Sequence, residues 1–152
     1  MRYTKGIIWI SIFFFAFAVA NAQCKAKELS KKWKSDLSPY GYDSFIVDDF
    51  QYKNEKQVLD MEFTALSGLD YKLIFCTNNI PQPLGITIYD KPKNNSKRKI
   101  IYYDESSKDG FLCSFRADKT GTYYIEYEVP VANQMTLNSK GCVLMLIGIS
   151  SK

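Results

Sequence analysis

Four cysteines, two glutamates spaced two apart and a surplus of tyrosines are the groups in this chain with chemistry to offer, and histidine is absent. The absence removes the usual general base, so Ser-His-Asp and Cys-His nucleophile arrangements are impossible. Histidine-ligated zinc, copper and non-haem iron go with it. No phosphate-binding glycine loop, dinucleotide fingerprint or nucleophile elbow occurs. Glu126 and Glu128 lie on one strand-like segment and therefore share a face at about 7 Å. That is within the span of about 5 to 9.5 Å over which two carboxylates cleave a glycosidic bond, so a carboxylate-dependent hydrolase is one alternative. Alternating charge is also what the wet side of any half-buried strand shows, and we expect no enzyme. Asp48, Asp49, Asp90, Asp104 and Glu105 form no EF-hand pattern, so neither a metal site nor a cofactor is expected.

Cys24, Cys76, Cys113 and Cys142 are even in number and have no short metal-binding spacing between them, which favours disulfides over zinc. Four cysteines allow three connectivities. Cys76 and Cys142 both sit near strand ends beside turn residues, and a bridge between them is the favoured pairing. It closes a loop of about 67 residues and stabilises by about 4 kcal/mol in the chain-entropy view. Cys24 with Cys113 then follows by elimination, unless Cys113, on the inward parity of its strand, is a buried free thiol. No catalytic thiol is expected, because apolar neighbours raise a thiol's pKa.

Tyrosine numbers 11 and phenylalanine 10. Tyr40, Tyr42, Tyr89, Tyr102 or Tyr103, and Tyr124 fall in loops or opposite the apolar parity. Rings so placed can stack on sugars or hold a protein, since each joins apolar area to a polar tip. The ligand-facing candidates are Tyr102, Tyr124, Glu126 and Glu128. The partners expected are a protein or a glycan, and not nucleic acid: the formal charge is +4, from 20 Lys and Arg against 16 Asp and Glu, and two of the cations, Arg2 and Lys5, belong to the leader described next.

Residues 1–22 read as a signal peptide, with a basic start, an apolar run from Gly6 to Val19, and small residues at Ala20 and Ala22. The run is shorter than the roughly 20 residues that span a bilayer, and no later segment is long enough. Export, to the periplasm, the outer membrane or the medium, follows as the expectation. Residues 23–39 form a helical segment in which Ala26, Leu29, Trp33 and Leu37 recur at helical spacing, stopped by Ser38-Pro39. Lysines cover its other face.

Residues 40–150 read as strands of a single sandwich domain. VLDMEFTAL, from 58, sets Leu59, Met61, Phe63 and Ala65 on one side. DYKLIFCT, from 70, sets Tyr71, Leu73 and Phe75 against Ile74 and Cys76. Leu84, Ile86 and Ile88 align, as do Phe111, Cys113, Phe115 and Ala117, and Tyr123, Ile125, Tyr127 and Val129. In SFIVDDFQY the apolar parity switches between Val47 and Phe50, which suggests a bulge near Asp48 and Asp49. GCVLMLIGI is apolar on both parities and predicts a strand covered on both faces. About eight strands separated by turn-rich loops, after one short helix, predict an all-β antiparallel sandwich or jelly roll. Asn94-Asn95-Ser96 fits a glycosylation sequon.

The strings MEFTALSGLDYKLIFCT, LGITIYD, YYIEYEVP and GCVLMLIGI together resemble a group of small secreted bacterial β-sandwich proteins of unknown function. The Ser67-Gly68-x-x-Tyr71 turn, Cys76 and the Gly141-Cys142 pair carry that resemblance over about residues 40–150. GTYYIEYEV, from 121, is also distantly similar to the bacterial pre-peptidase C-terminal domain, a jelly-roll-like accessory module. The resemblance implies a non-enzymatic exported module and again a Cys76–Cys142 bridge. The expected function is an exported, non-catalytic β-sandwich with a binding or structural role, or alternatively a carbohydrate-binding module using exposed tyrosines.

Overall fold

The computed structural model describes residues 24–78, 84–107 and 111–150; the signal peptide read at residues 1–22 lies outside the described residues. A helix α1, Ala26–Trp33, runs into a short 3₁₀ turn, Lys34–Leu37. Eight strands follow: β1 Gly41–Gln51, β2 Gln57–Ala65, β3 Asp70–Asn78, β4 Leu84–Tyr89, β5 Ile100–Ser107, β6 Phe111–Arg116, β7 Gly121–Val129 and β8 Lys140–Ser150. They make two antiparallel four-stranded sheets, sheet A in the order β1-β8-β3-β6 and sheet B in the order β2-β7-β4-β5. The chain changes sheet at every connection except β4 to β5, and the arrangement is that of an eight-stranded jelly roll.

The alternation expected from sequence builds the core. Met61, Phe63, Tyr71, Leu73, Phe75, Ile86, Ile88, Ile125 and Tyr127 are all buried between the sheets. Phe63, Tyr71, Phe115 and Tyr123 form an aromatic knot with ring centroids 5.3 to 6.0 Å apart. Such offset pairs add to what burial alone contributes. Tyr71 also explains the Ser-Gly-x-x-Tyr turn. Gly68 takes φ 82°, a value that favours glycine, and the Tyr71 hydroxyl accepts the Leu66 N–H at 2.8 Å, closing the turn back onto β3.

Sheet A has a second apolar side. Ile74, Cys76, Leu144 and Leu146 face outward under the helix, packed against Leu37, with Ala26, Leu29 and Trp33 around them. This is why β8 is apolar on both parities. Gly148 permits the approach: a Cβ there would lie 2.9 Å from Leu37 and 3.1 Å from Tyr40. It also removes the bulge expected near Asp48 and Asp49. From Ser44 to Gln51, β1 pairs with β8 in unbroken register, and the irregularity lies between Tyr42 and Ser44. Ile46 and Phe50 enter the core and Val47 joins the helix side, so the change of parity reflects two covered faces rather than a slipped strand.

The disulfide also departs from expectation. Cys24 bonds Cys142, with Cα atoms 5.7 Å apart, and Cys76 and Cys113 are buried thiols outside that bridge. Cys76 stands opposite Leu144 while Cys142 stands opposite Asn78. The two cysteines are thus diagonal neighbours on one face, about 7 to 8 Å apart, beyond the usual disulfide span of about 4.4 to 6.8 Å. Cys24 with Cys113 is ruled out by side: Cys113 points into the core, and Cys24 lies at the helix start on the far face of sheet A. Burial pushes the Cys113 thiol up to about 12. Native protein at pH 8 is therefore expected to take up no iodoacetamide at Cys113, and denatured protein to label it together with Cys76. Rapid native labelling of Cys113, read by mass spectrometry, would place it outside the core.

Candidate ligand-binding face

The two outer faces of the sandwich differ. Sheet A is roofed by the helix. On the outer face of sheet B none of the described helical residues packs, and there the polar parities of β2, β7, β4 and β5 meet in rows. Glu62, Tyr124 and Tyr89 stand side by side on successive strands, and Asp60, Glu126, Thr87 and Tyr103 form the next row. Tyr103 is 55% exposed, and Tyr124 and Tyr89 are half-buried. Strand alternation places these groups, and the large inward residues Ile88, Ile125 and Tyr127 hold the strands that carry them.

Of the four ligand-facing candidates, Tyr124, Glu126 and Glu128 are on this face and Tyr102 is not. Tyr102 is partly buried and packs on the core, where burial raises its hydroxyl pKa. Its neighbour Tyr103 holds the outward position. A parity ambiguity in IIYYD hid this, because Ile100 and Ile101 are both apolar and β5 pairs irregularly with β4 near Tyr89. Tyr40 and Tyr42 belong elsewhere: Lys72 lies over one ring and Lys34 over the other, beside the helix.

Glu126 is more than a solvated strand residue. The Arg98 guanidinium donates to its carboxylate at 2.5 Å, and the two side chains are only 23% and 13% exposed. The same guanidinium lies 3.8 Å over the Tyr89 ring. Arg98 comes from the β4–β5 connection, which Asp90 shapes by accepting the Lys99 N–H at 2.6 Å. That bond, helped by the nearby Lys119 and Lys91 cations, holds the Asp90 carboxyl below its usual range. Nothing in the linear pattern tied Arg98 to Glu126, 28 residues away. Glu128 pairs separately with Lys56 at 2.5 Å. Each carboxylate of the suspected catalytic pair is thus engaged by its own cation. Glu126→Gln is expected to cost about 1 kcal/mol, a charged hydrogen bond discounted for partial exposure. A denaturation midpoint indistinguishable from that of the parent would show the pair to be idle.

A cavity of about 410 Å³ opens on the flank between β1 and β2, and neither Glu126 nor Glu128 lines it. Among the described residues, the atoms of Cys24, Asp49 and Cys142 come within 4.8 Å of one another, as metal ligands do, but both sulfurs are consumed by the disulfide. Asp48, where the sequence suggested a bulge, points inward and accepts the Tyr127 hydroxyl. Among the described residues no helix is long and apolar enough to cross a membrane.

No protein-family model matches this chain, and no curated protein does. A crystal structure of an uncharacterised protein from Sulfurospirillum deleyianum is similar in part, with 12% identity over 72% of this chain and 99% of that one, at a TM-score of 0.44.

Proposed function

We propose that this chain is an exported, non-catalytic binding module of the cell envelope or extracellular space, and that the outer face of sheet B is its binding surface. The observation that carries the reading is the asymmetry of the sandwich. One outer face is roofed by the helix, while the other presents Tyr124, Tyr89 and Tyr103 on adjoining strands. Export to the periplasm, the outer membrane or the medium rests on the signal peptide read in residues 1–22 and is consistent with a disulfide. The sequence resemblance to small secreted sandwich proteins, and distantly to the pre-peptidase C-terminal domain, supports the same reading. The hydrolase alternative is weakened by the separate cations that hold Glu126 and Glu128.

A carbohydrate ligand is the more specific reading, favoured by one arrangement. Tyr124 is flanked by Glu62 on one side and by Tyr89 with its Arg98–Glu126 pair on the other. Rings for the apolar face of a sugar thus lie beside acceptors and donors for its hydroxyls. Affinity electrophoresis through polysaccharide gels tests it. Retardation by at least one polysaccharide is expected, and its loss in the Tyr103→Ala, Tyr124→Ala double variant at unchanged thermal midpoint. Parent protein that runs freely in every gel removes the sugar reading. If envelope proteins captured on the parent are also captured by the double variant, the face itself is wrongly assigned.

A further inference from the structure

We propose that the outer edge of β2 accepts an extended, basic segment of another protein as a fifth strand of sheet B, along a flank that adjoins the tyrosine face and shares Glu62 with it. β1 and β2 close their respective sheets on the same flank, and the cavity of about 410 Å³ lies between them. The two edges are not alike. β1 carries two devices that discourage strand addition: an irregular register between Tyr42 and Ser44, and an inward-pointing charge, Asp48, tied to Tyr127. β2 has neither. It pairs with β7 residue for residue from Gln57 to Ala65 without a shift, and contains no proline, glycine or lysine. Among the described residues no strand pairs with its other side, so the outward N–H and C=O groups of this nine-residue strand make a ready template for a further chain.

The surroundings define the occupant. Asp43 and Glu62 line the opposite walls of the cavity, Phe63 and Tyr71 contribute its apolar lining, and among the described residues no lysine or arginine lines it. Asp60, two residues before Glu62, projects from the same outer side of β2. A second copy of this chain fits poorly. Antiparallel pairing of β2 with itself about Met61 sets Asp60 against Glu62, and like charges directly opposite destabilise a sheet. A strand alternating apolar and basic residues fits both sides. Its apolar side chains turn toward the cavity, and its lysines or arginines meet Asp60 and Glu62.

The test uses the mature protein and two fluorescein-labelled, end-blocked peptides, one alternating lysine with valine and one alternating glutamate with valine. Anisotropy is expected to show saturable binding of the lysine peptide only. Hydrogen exchange should then slow at amides 57–65. The Asp60→Lys, Glu62→Lys variant, altered only at exposed positions, should bind about tenfold or more weakly with its thermal midpoint retained. The Tyr103→Ala, Tyr124→Ala variant should bind like the parent, which keeps this result separate from that of the tyrosine face. Equal binding of both peptides, no binding of either, protection located away from β2, or self-association through β2 each overturns the proposal.

Discussion

Replacing Cys24 with serine is expected to lower the stability of the domain by about 4 to 5 kcal/mol in the chain-entropy model of a disulfide. The bridge joins residues 118 apart in sequence, nearly the whole domain, and so removes much freedom from the unfolded chain. It also fixes a helix that has little stability of its own. Eight α-helical residues with a four-residue 3₁₀ extension are below the length at which an isolated helix persists in water. Urea titration of parent and variant, under non-reducing conditions, reads the difference. Equal midpoints, or an intact mass showing all four thiols free, would mean that the bridge does not form. Loss of helical ellipticity along with the midpoint would show that the helix docks because it is tethered.

Tyr127→Ala comes next in magnitude, at about 3 to 5 kcal/mol, the usual range for truncating a large buried aromatic. Tyr127 is wholly buried on β7, stands between Leu59 and Ile86 in the strand register, and donates its hydroxyl across the sandwich to Asp48. Tyr127→Phe isolates that bond. It keeps the ring and strands an inward carboxylate, so a loss of about 1.5 to 3 kcal/mol is expected. The sign of the pH dependence is fixed as well. Burial first, and then the bond to Asp48, raise the Tyr127 hydroxyl pKa in the folded state. The folded protein therefore keeps this proton where the unfolded chain loses it. The contribution is complete below the unfolded value of about 10 and declines as pH rises above it. Tyr127→Phe should accordingly flatten the alkaline limb of the stability profile. An unchanged limb would show that Tyr127 does not hold its proton through the fold.

Most strands were legible because a half-buried strand shows its two sides separately. β2, β4 and β7 display one apolar parity each, and the residues expected inside are inside. The double-sided reading of β8 also held, and Ile74 and Cys76 were correctly set on a second face of β3. β1 misled for the same underlying reason. Its two apolar parities report two covered faces, yet a bulge yields the same local pattern, and choosing between them requires knowing that a helix lies over sheet A. The cysteines failed through topology. Pairing depends on which face of which sheet each side chain leaves, and strand order, invisible in one dimension, sets that. The outer face of sheet B was half legible: Tyr124, Glu126 and Glu128 follow from alternation on β7. Arg98 does not, since only the hairpin that folds residues 90–99 over the sheet delivers it to Glu126, and Tyr103 was obscured by the irregular pairing of β5.

The place of β8, last in sequence of the eight described strands and between β1 and β3 in its sheet, bears on how the molecule comes to exist. A polypeptide emerging from its amino end presents Cys24 early, and the next sulfurs to appear are Cys76 and Cys113. The native partner arrives only with the closing segment, when β1 and β3 also gain the strand that joins them. Until then the apolar sides of sheet A have no organised centre, and wrong sulfur pairings have the field to themselves. Productive maturation should therefore depend on a thiol isomerase wherever oxidation outruns delivery of the carboxyl end, and truncation before Cys142 should yield scrambled, sticky material rather than a smaller sandwich.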